Sequence, residues 1–529
     1  MKINQSKTDL IQNTCRALEP VIGKKQAQGL WQSYIYSDEE SKEEIEETIN
    51  LLASSKLKDD VQNITPVFIP PSKEQAEGEF NIGNVYYNDK SHYAFGLRSN
   101  EMIQHGAVFG RSGSGKTLTA FGLTKSIAEK DIPVLVLDWK RGWRDLLQNA
   151  SFRNFRVYTV GRNIAPLYFN PLIPPENVDP KTYLKHLSEI IAHAFLLGDG
   201  AIYVLQQCIH NVYEKSGVYK KSVQNFPVFK DVLNEILKSF GFSKGRVMLW
   251  AASATRALSS LCFGQADEIF NSEQNQRPDE LFKKQVILEL ESLSQADKIF
   301  CIESLLLFHH MTRLSEQGER ERFSNFIVIE EAHHILSKYA RKNASSGDSI
   351  TDIIFREIRE MGTGILLLAQ HPSEISLSAL GNTYCTISMN LKSWQDVSTM
   401  ASAMLLDEEQ KKALGAMDVG SAVVKLQGRV KEPFMLDIPE FKLQKGAIID
   451  DMIKDRSRSP ETIKPSTAQI SGLEEAFIED IKKCPDSGVA ARYKRLGLSA
   501  RKGDQMKKDL LEKGVVEEVE KKTEKGRVK

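Results

Sequence analysis

Between about residues 80 and 445, runs of five to seven mostly aliphatic residues alternate with longer stretches in which apolar residues return every three to four positions. The runs have the length of buried strands, and the stretches have the period of helices that cover them. The strongest runs are GAVFG (106–110), PVLVLDW (133–139), QVILEL (285–290), NFIVIEE (325–331) and GILLLAQ (364–370). This alternation predicts an α/β domain whose mostly parallel sheet is covered by helices. Residues 176–280 interrupt it with helical patterns such as TYLKHLSEIIAHAFLL and little strand signal, so a helical insertion is expected there. Residues 1–79 read as a helical N-terminal segment and linker, 446–470 as a linker containing DRSRSPETIKPSTAQ, and 471–529 as a separate small domain.

Composition narrows the class. Apolar residues at 41% and charged residues at 26% of 529 are ordinary for a core-burying chain, which excludes disordered and fibrous classes. Seventy basic residues balance seventy acidic ones, so an anionic partner must be met by a local patch. No uninterrupted apolar run reaches the ~18 residues of a membrane span, and the start MKINQSKTDLIQ lacks the apolar core of a signal peptide. A cytoplasmic location is expected. The six cysteines are scattered without zinc-ligand spacing and read as reduced thiols.

The segment Gly110-Arg111-Ser112-Gly113-Ser114-Gly115-Lys116-Thr117 matches the phosphate-binding pattern GxxxxGK[ST], preceded by a strand and followed by the helical TLTAFGLTKSIAEK. Its glycines let backbone N–H groups turn inward around a β-phosphate, and the helix end adds its dipole. Lys116 would then neutralise β/γ oxygens and Thr117 would ligate Mg²⁺, with Leu118 closing the nucleotide-contact set. A second element, the apolar Phe326-Ile327-Val328-Ile329, ends in Glu330-Glu331. Such a strand can aim one carboxylate at a metal shell and the next at an attacking water, so Glu330 is assigned to Mg²⁺ and Glu331 to the general base. Both acids could instead cap a following helix, AHHILSKYA. His333 and His334 are adjacent and so do not share a helix face, which favours packing over metal ligation. Gln370 ends GILLLAQ, where it could sense a γ-phosphate or bond backbone.

In this order, GRSGSGKT, VLVLDWKRGW, PLYFNPLIPP, FIVIEEAHHIL and REIREMGTGILLLAQHPSEIS resemble the HerA/FtsK superfamily of hexameric DNA-pumping ATPases, with HerA-type translocases and type IV secretion ATPases as the nearest look. The resemblance spans about residues 80–440 and implies a RecA-like core that assembles into a ring, with ATP and Mg²⁺ held between neighbours. It favours Gln370 as the sensor. It also implies an arginine acting on the next subunit from the helix before the sensor strand, where Arg359 matches and Arg356, one turn earlier, is the other candidate. Duplex DNA, a homohexamer and a partner nuclease or effector are the implied partners. Two features depart from the pattern: HerA proteins usually begin with a small β-barrel, whereas residues 1–65 read as helical, and the usual Asp-Glu pair is here Glu330-Glu331.

The C-terminal segment divides into a helix (473–483), a short helix (488–496), a helix from Ser499 and a two-stranded end (515–528), the order of a winged helix-turn-helix. Arg501, Lys502, Lys507 and Lys508 on the third helix, with Lys525 and Arg527 on the wing, are its candidate DNA contacts. Residues 471–529 carry 15 Lys and Arg against 12 Asp and Glu, a surplus of three, so any footprint is local. Such modules also dock proteins. Lys140, Arg141, Arg144, Arg153, Arg156 and Arg162 are further candidates, for a DNA-facing pore. The reading that joins these features is a hexameric, ATP-hydrolysing motor that threads duplex DNA. Its rivals are a packaging or conjugative coupling ATPase of a virus or mobile element, and a ring that scaffolds a defence effector.

Overall fold

In a computed structural model the chain forms two compact units, Met1–Ser457 and Arg458–Lys529. The residues described are 7–56, 68–220, 225–272, 278–316, 322–339, 349–458, 472–483, 487 and 489–512. In the first unit they build one sheet from β1 (Phe80–Tyr87), β2 (Lys90–Leu97), β3 (Gly106–Phe109), β4 (Val134–Asp138), β5 (Arg156–Thr159), β6 (Gln285–Glu289), β7 (Asn325–Glu330), β8 (Thr363–Ala369), β9 (Cys385–Ser388), β10 (Ser421–Leu426) and β11 (Phe434–Asp437). The order across the sheet is β2-β1-β11-β10-β9-β3-β8-β7-β4-β6-β5. From β9 to β5 every neighbouring pair is parallel, and from β9 outward through β2 every pair is antiparallel.

The parallel strands read as unbroken apolar runs because both faces are covered. Val134 and Val136 of β4 point into one core, shared with the helix Lys116–Ala128 and the β1–β2 hairpin. Leu135 and Leu137 point into the other, with the helices between β5 and β6. Those helices, among them Pro180–Ala194, Asp199–Lys215, Phe229–Phe240 and Arg246–Leu261, are the helical insertion. The fold is therefore the expected α/β architecture of a RecA-like P-loop core, extended by strands the apolar runs do not reveal. The β1–β2 turn is a tight one with Asn88 and Asp89 at φ 50° and 56°, backbone that Asn and Asp tolerate better than most residues.

Three helices, Lys7–Ile22, Lys24–Tyr36 and Glu39–Lys56, form the N-terminal segment, which packs Ile11, Leu18 and Ile49 with Tyr87 of β1. The Tyr87 hydroxyl donates to the Ala17 carbonyl at 2.7 Å and fastens the segment to the hairpin. Residues 446–457, expected as linker, belong to the first unit instead. Asp145 accepts from the backbone N–H groups of Gly446 and Ile448, and the helix Asp450–Arg458 begins with a carboxylate held by arginines. Charge pairing, together with Ile448 and Ile453 packed on the core, holds a segment whose composition reads as mobile.

In the second unit the helices Gly472–Lys483, Val489–Arg495 and Ala500–Glu512 pack Phe477, Tyr493 and Met506 into a small core. Asp480 pairs with Arg492 and Arg495. Ser499 immediately precedes the third helix, and its hydroxyl accepts from the Lys502 N–H at 3.4 Å. The expected wing, 515–528, lies outside the described residues. Among those described, no helix is long and apolar enough to cross a membrane.

Candidate nucleotide-binding site

The phosphate-binding loop leaves the C-terminal end of β3 and enters the helix Lys116–Ala128. Gly115 stands at φ 110°, where a side chain is strained, and a Cβ there would meet Met389 Cε at 2.8 Å. At Gly110 a Cβ would lie 2.5 Å from Ser114 Oγ and 2.9 Å from Met389 Cβ. These positions admit only glycine without displacing the loop. Arg111, Ser112 and Gly113 are exposed at its tip, whereas Ser114 is buried with its hydroxyl unpartnered. Thr117 and Leu118 are half-buried on the first helical turn. The Lys116 ammonium donates to the carbonyls of Gly110 at 2.7 Å and Arg111 at 3.1 Å. Burial lowers its pKa, the nearby Lys140 adds to that, and the Glu331 and Glu330 carboxylates oppose it.

Parallel pairing sets β8 beside β3 and β7 beside β8, so Gln370 and the Glu330-Glu331 pair emerge at the same sheet edge as the loop. Gln370 Nε2 donates to Glu331 Oε1 at 2.6 Å, and Lys140 Nζ pairs with the same oxygen. Burial alone would raise the Glu331 carboxyl, but these two donors hold it below the ordinary range. Glu331 also sits at φ 49° and ψ 44°, a left-handed conformation that costs a non-glycine residue on the order of 1 kcal/mol or more. The chain turns there. In place of the long helix suggested by AHHILSKYA it makes a short 3₁₀ turn, Ala332–His334. His334 stacks on Trp139 at 4.9 Å, and the buried His333 packs on His334, its pKa pushed down to about 4 chiefly by burial.

Glu330 faces the loop after β4. Trp143 Nε1 donates to Glu330 Oε1 at 2.8 Å and the Trp139 N–H to Oε2 at 3.3 Å. Burial first, and then the charge of Asp138, push the Glu330 carboxyl up to about 8. Asp138, fully buried at the end of β4, accepts from the N–H groups of Lys140, Gly142 and Trp143, and its own pKa is raised by burial. Two carboxyl groups crowded this closely favour a shared proton or a divalent cation.

The fold thus gathers Lys116, Glu330, Glu331 and Gln370. It adds Asp138 and Lys140, which sequence reasoning did not place here, although VLVLD carries the same signal as FIVIEE: an apolar strand ending in an acid. Arg356 and Arg359 are elsewhere. They precede β8, at the opposite sheet edge, where Arg359 is near enough to His105, just before β3, to help lower its pKa after the larger effect of burial. In the second unit Arg501, Lys502 and Lys508 are exposed and Lys507 is half-buried, while Lys525 and Arg527 lie outside the described residues.

Residues 80–307 match the family model for the central domain of helicase HerA. Among solved structures, VirB4 of Thermoanaerobacter pseudethanolicus superposes with a TM-score of 0.54 at 13% identity, over 69% of this chain and 97% of that one. The bacterial conjugative coupling protein TrwB gives 0.48 at 10% identity, over 66% and 88%. The genome packaging NTPase B204 of Sulfolobus turreted icosahedral virus 2 gives 0.32 at 8%, over 64% and 98%. No curated protein sequence matches.

Proposed function

We propose, for a chain whose core is a HerA/FtsK-type P-loop ATPase, that it hydrolyses ATP with Mg²⁺ and couples hydrolysis to the movement of duplex DNA through a homohexameric ring. The observation that carries this reading is the meeting of Lys116 with Glu331, Gln370 and Lys140 at one sheet edge. Lys116 and the loop N–H groups hold the β- and γ-phosphates. Glu331 takes the proton of the attacking water, and Gln370 orients that carboxylate. Thr117 and Glu330 would hold Mg²⁺, since the crowding of Glu330 against Asp138 suits a cation, and the chemistry it would supply there is neutralisation of charge on the transferred phosphate. Arg359, or Arg356, completes the site of a neighbour. Arg501, Lys502, Lys507 and Lys508, with Lys525 and Arg527, meet duplex phosphates.

Removing the Lys116 ammonium, as in Lys116→Ala, takes away the main protein cation at the transferred phosphoryl group. Turnover is expected to fall by about 10²–10³-fold, read as phosphate release at saturating ATP.

Duplex DNA is expected to stimulate the ATPase, and the stimulation should fade steeply as salt rises, because each phosphate contact releases a counterion. The particle mass, measured alongside, should be that of a hexamer. ATPase indifferent to DNA at every salt concentration would remove the motor and leave the scaffold ring.

A further inference from the structure

Three of the basic residues between 140 and 163 converge on one carboxylate. Arg141 Nη2 donates to Asp450 Oδ1 at 2.9 Å, Arg144 Nη1 to the same oxygen at 2.6 Å, and Arg162 Nη2 to Oδ2. Arg144 is 3% exposed, and Glu289 grips its other edge, with Nε to Oε1 at 2.6 Å. Its Nη1 is therefore a fixed donor. The side chains of Arg141 and Arg162 remain 31% and 29% exposed, and Arg141 and Arg144 line an open cleft of about 710 Å³ whose wall also carries Lys445, Asp145 and Asp451.

Three carboxylates answer the three arginines: Glu289 grips Arg144, Glu291 stands 3.7 Å from Arg141, and Asp450 is shared by all three, so the cluster is balanced only while Asp450 is in place. Three guanidinium forks directed at one point exceed what a single carboxylate needs, and they suit a phosphate, which offers more acceptor oxygens in a tetrahedral array. Asp450 reaches the cluster at the end of a strap, residues 441–450, that Asp145 holds through the Gly446 and Ile448 N–H groups. The strap is followed by the helix Asp450–Arg458.

We propose that Arg141, Arg144 and Arg162 form a binding site for a backbone phosphate of duplex DNA, and that the Asp450 carboxylate occupies it in the free chain as a built-in stand-in. The inference rests on the DNA reading above. A nucleotide phosphate has the same chemistry, but the loop at Gly110–Thr117 already serves it, and the open cleft suits a polymer that enters from the side.

The test uses the full-length chain carrying Asp450→Asn, which keeps the shape of the side chain and removes its charge. Binding of a short fluorescent duplex is followed by anisotropy across a salt series. Affinity at low salt is expected to rise by roughly tenfold, and the slope of log K against log salt to steepen by about 0.9, one further counterion released. Adding Arg162→Gln to Asp450→Asn should bring both quantities back toward wild type. The proposal is overturned if wild type binds the duplex and Asp450→Asn binds it no tighter; a fall in Tm would then mark Asp450 as a brace. It is equally overturned if Asp450→Asn shifts the KM for ATP and leaves DNA binding alone. Should neither protein bind duplex while both hydrolyse ATP, the DNA reading itself falls.

Discussion

Glu331→Gln should bind ATP about as well as wild type and hydrolyse it 10²–10⁴-fold more slowly. The amide has the shape of the carboxylate and can still accept from Gln370, so the position held by that hydrogen bond and by the left-handed turn at Glu331 is kept. It cannot take a proton from water. It also has no charge to hold Lys140, which is 59% exposed in its side chain and free to swing away. Equilibrium binding of a fluorescent nucleotide and single-turnover phosphate release separate the two effects. Near wild-type phosphate release by Glu331→Gln would show that another carboxylate, with Glu330 the first to examine, is the base.

Arg359→Ala should cost still more, about 10³–10⁵-fold in hydrolysis, because an arginine finger is the residue most specific to the charge of the transition state. The geometry decides how it must act. β8, seven residues long, lies between Arg359 and the sheet edge that carries Gln370 and the phosphate loop, a span of roughly 23 Å at 3.3 Å per residue. An arginine side chain does not cover that distance, so any contribution from Arg359 reaches the site of a neighbour. Nucleotide affinity of the isolated chain should be unchanged. In rings mixed from Arg359→Ala and Lys116→Ala chains, each nearly inactive alone, activity should reappear, because the intact phosphate loop of the first then meets the intact arginine of the second. If no mixture recovers activity, and Arg356→Ala behaves in the same way, the interfacial site is disproved.

Much of this site was legible because its chemistry is tied to strand ends. GAVFG, FIVIEE and GILLLAQ are apolar enough to mark three strands, and their C-terminal ends carry the phosphate loop, the acid pair and Gln370. The chain does not write down which strands lie side by side. Asp138 ends VLVLD as plainly as Glu330 ends FIVIE, yet only the order β8-β7-β4 brings Asp138 against Glu330 and Lys140 against Glu331. The antiparallel strands β1 and β2 were hidden for another reason: their apolar runs are interrupted by polar residues that face solvent at the sheet margin, while β10 and β11 are short and each carries a charged residue, Lys425 and Asp437. In NIGNVYYNDKSHYAFG only the Asn88-Asp89 turn betrays the hairpin. The strap at 441–450 was opaque, because its few apolar residues, Phe441, Leu443 and Ile448, pack on the core without a helical or strand period, and Asp450 is held by arginines distant in sequence.

The position of β3 between β8 and β9 governs how the chain is made. Gly106 pairs with Leu366 on one side and Cys385 on the other, so the strand that carries the phosphate loop has neither partner until some 260 further residues have been synthesised. At translation rates of about 5–20 residues per second that wait is roughly 13 to 52 s. The β1–β2 hairpin is local and can form at once, whereas the apolar GAVF segment must remain unpaired on the ribosome. A strand edge exposed for that long is a target for chaperones and for its own copies on neighbouring ribosomes. A pause in synthesis between residues 110 and 388 should therefore reduce the yield of folded protein more than an equal pause after residue 388.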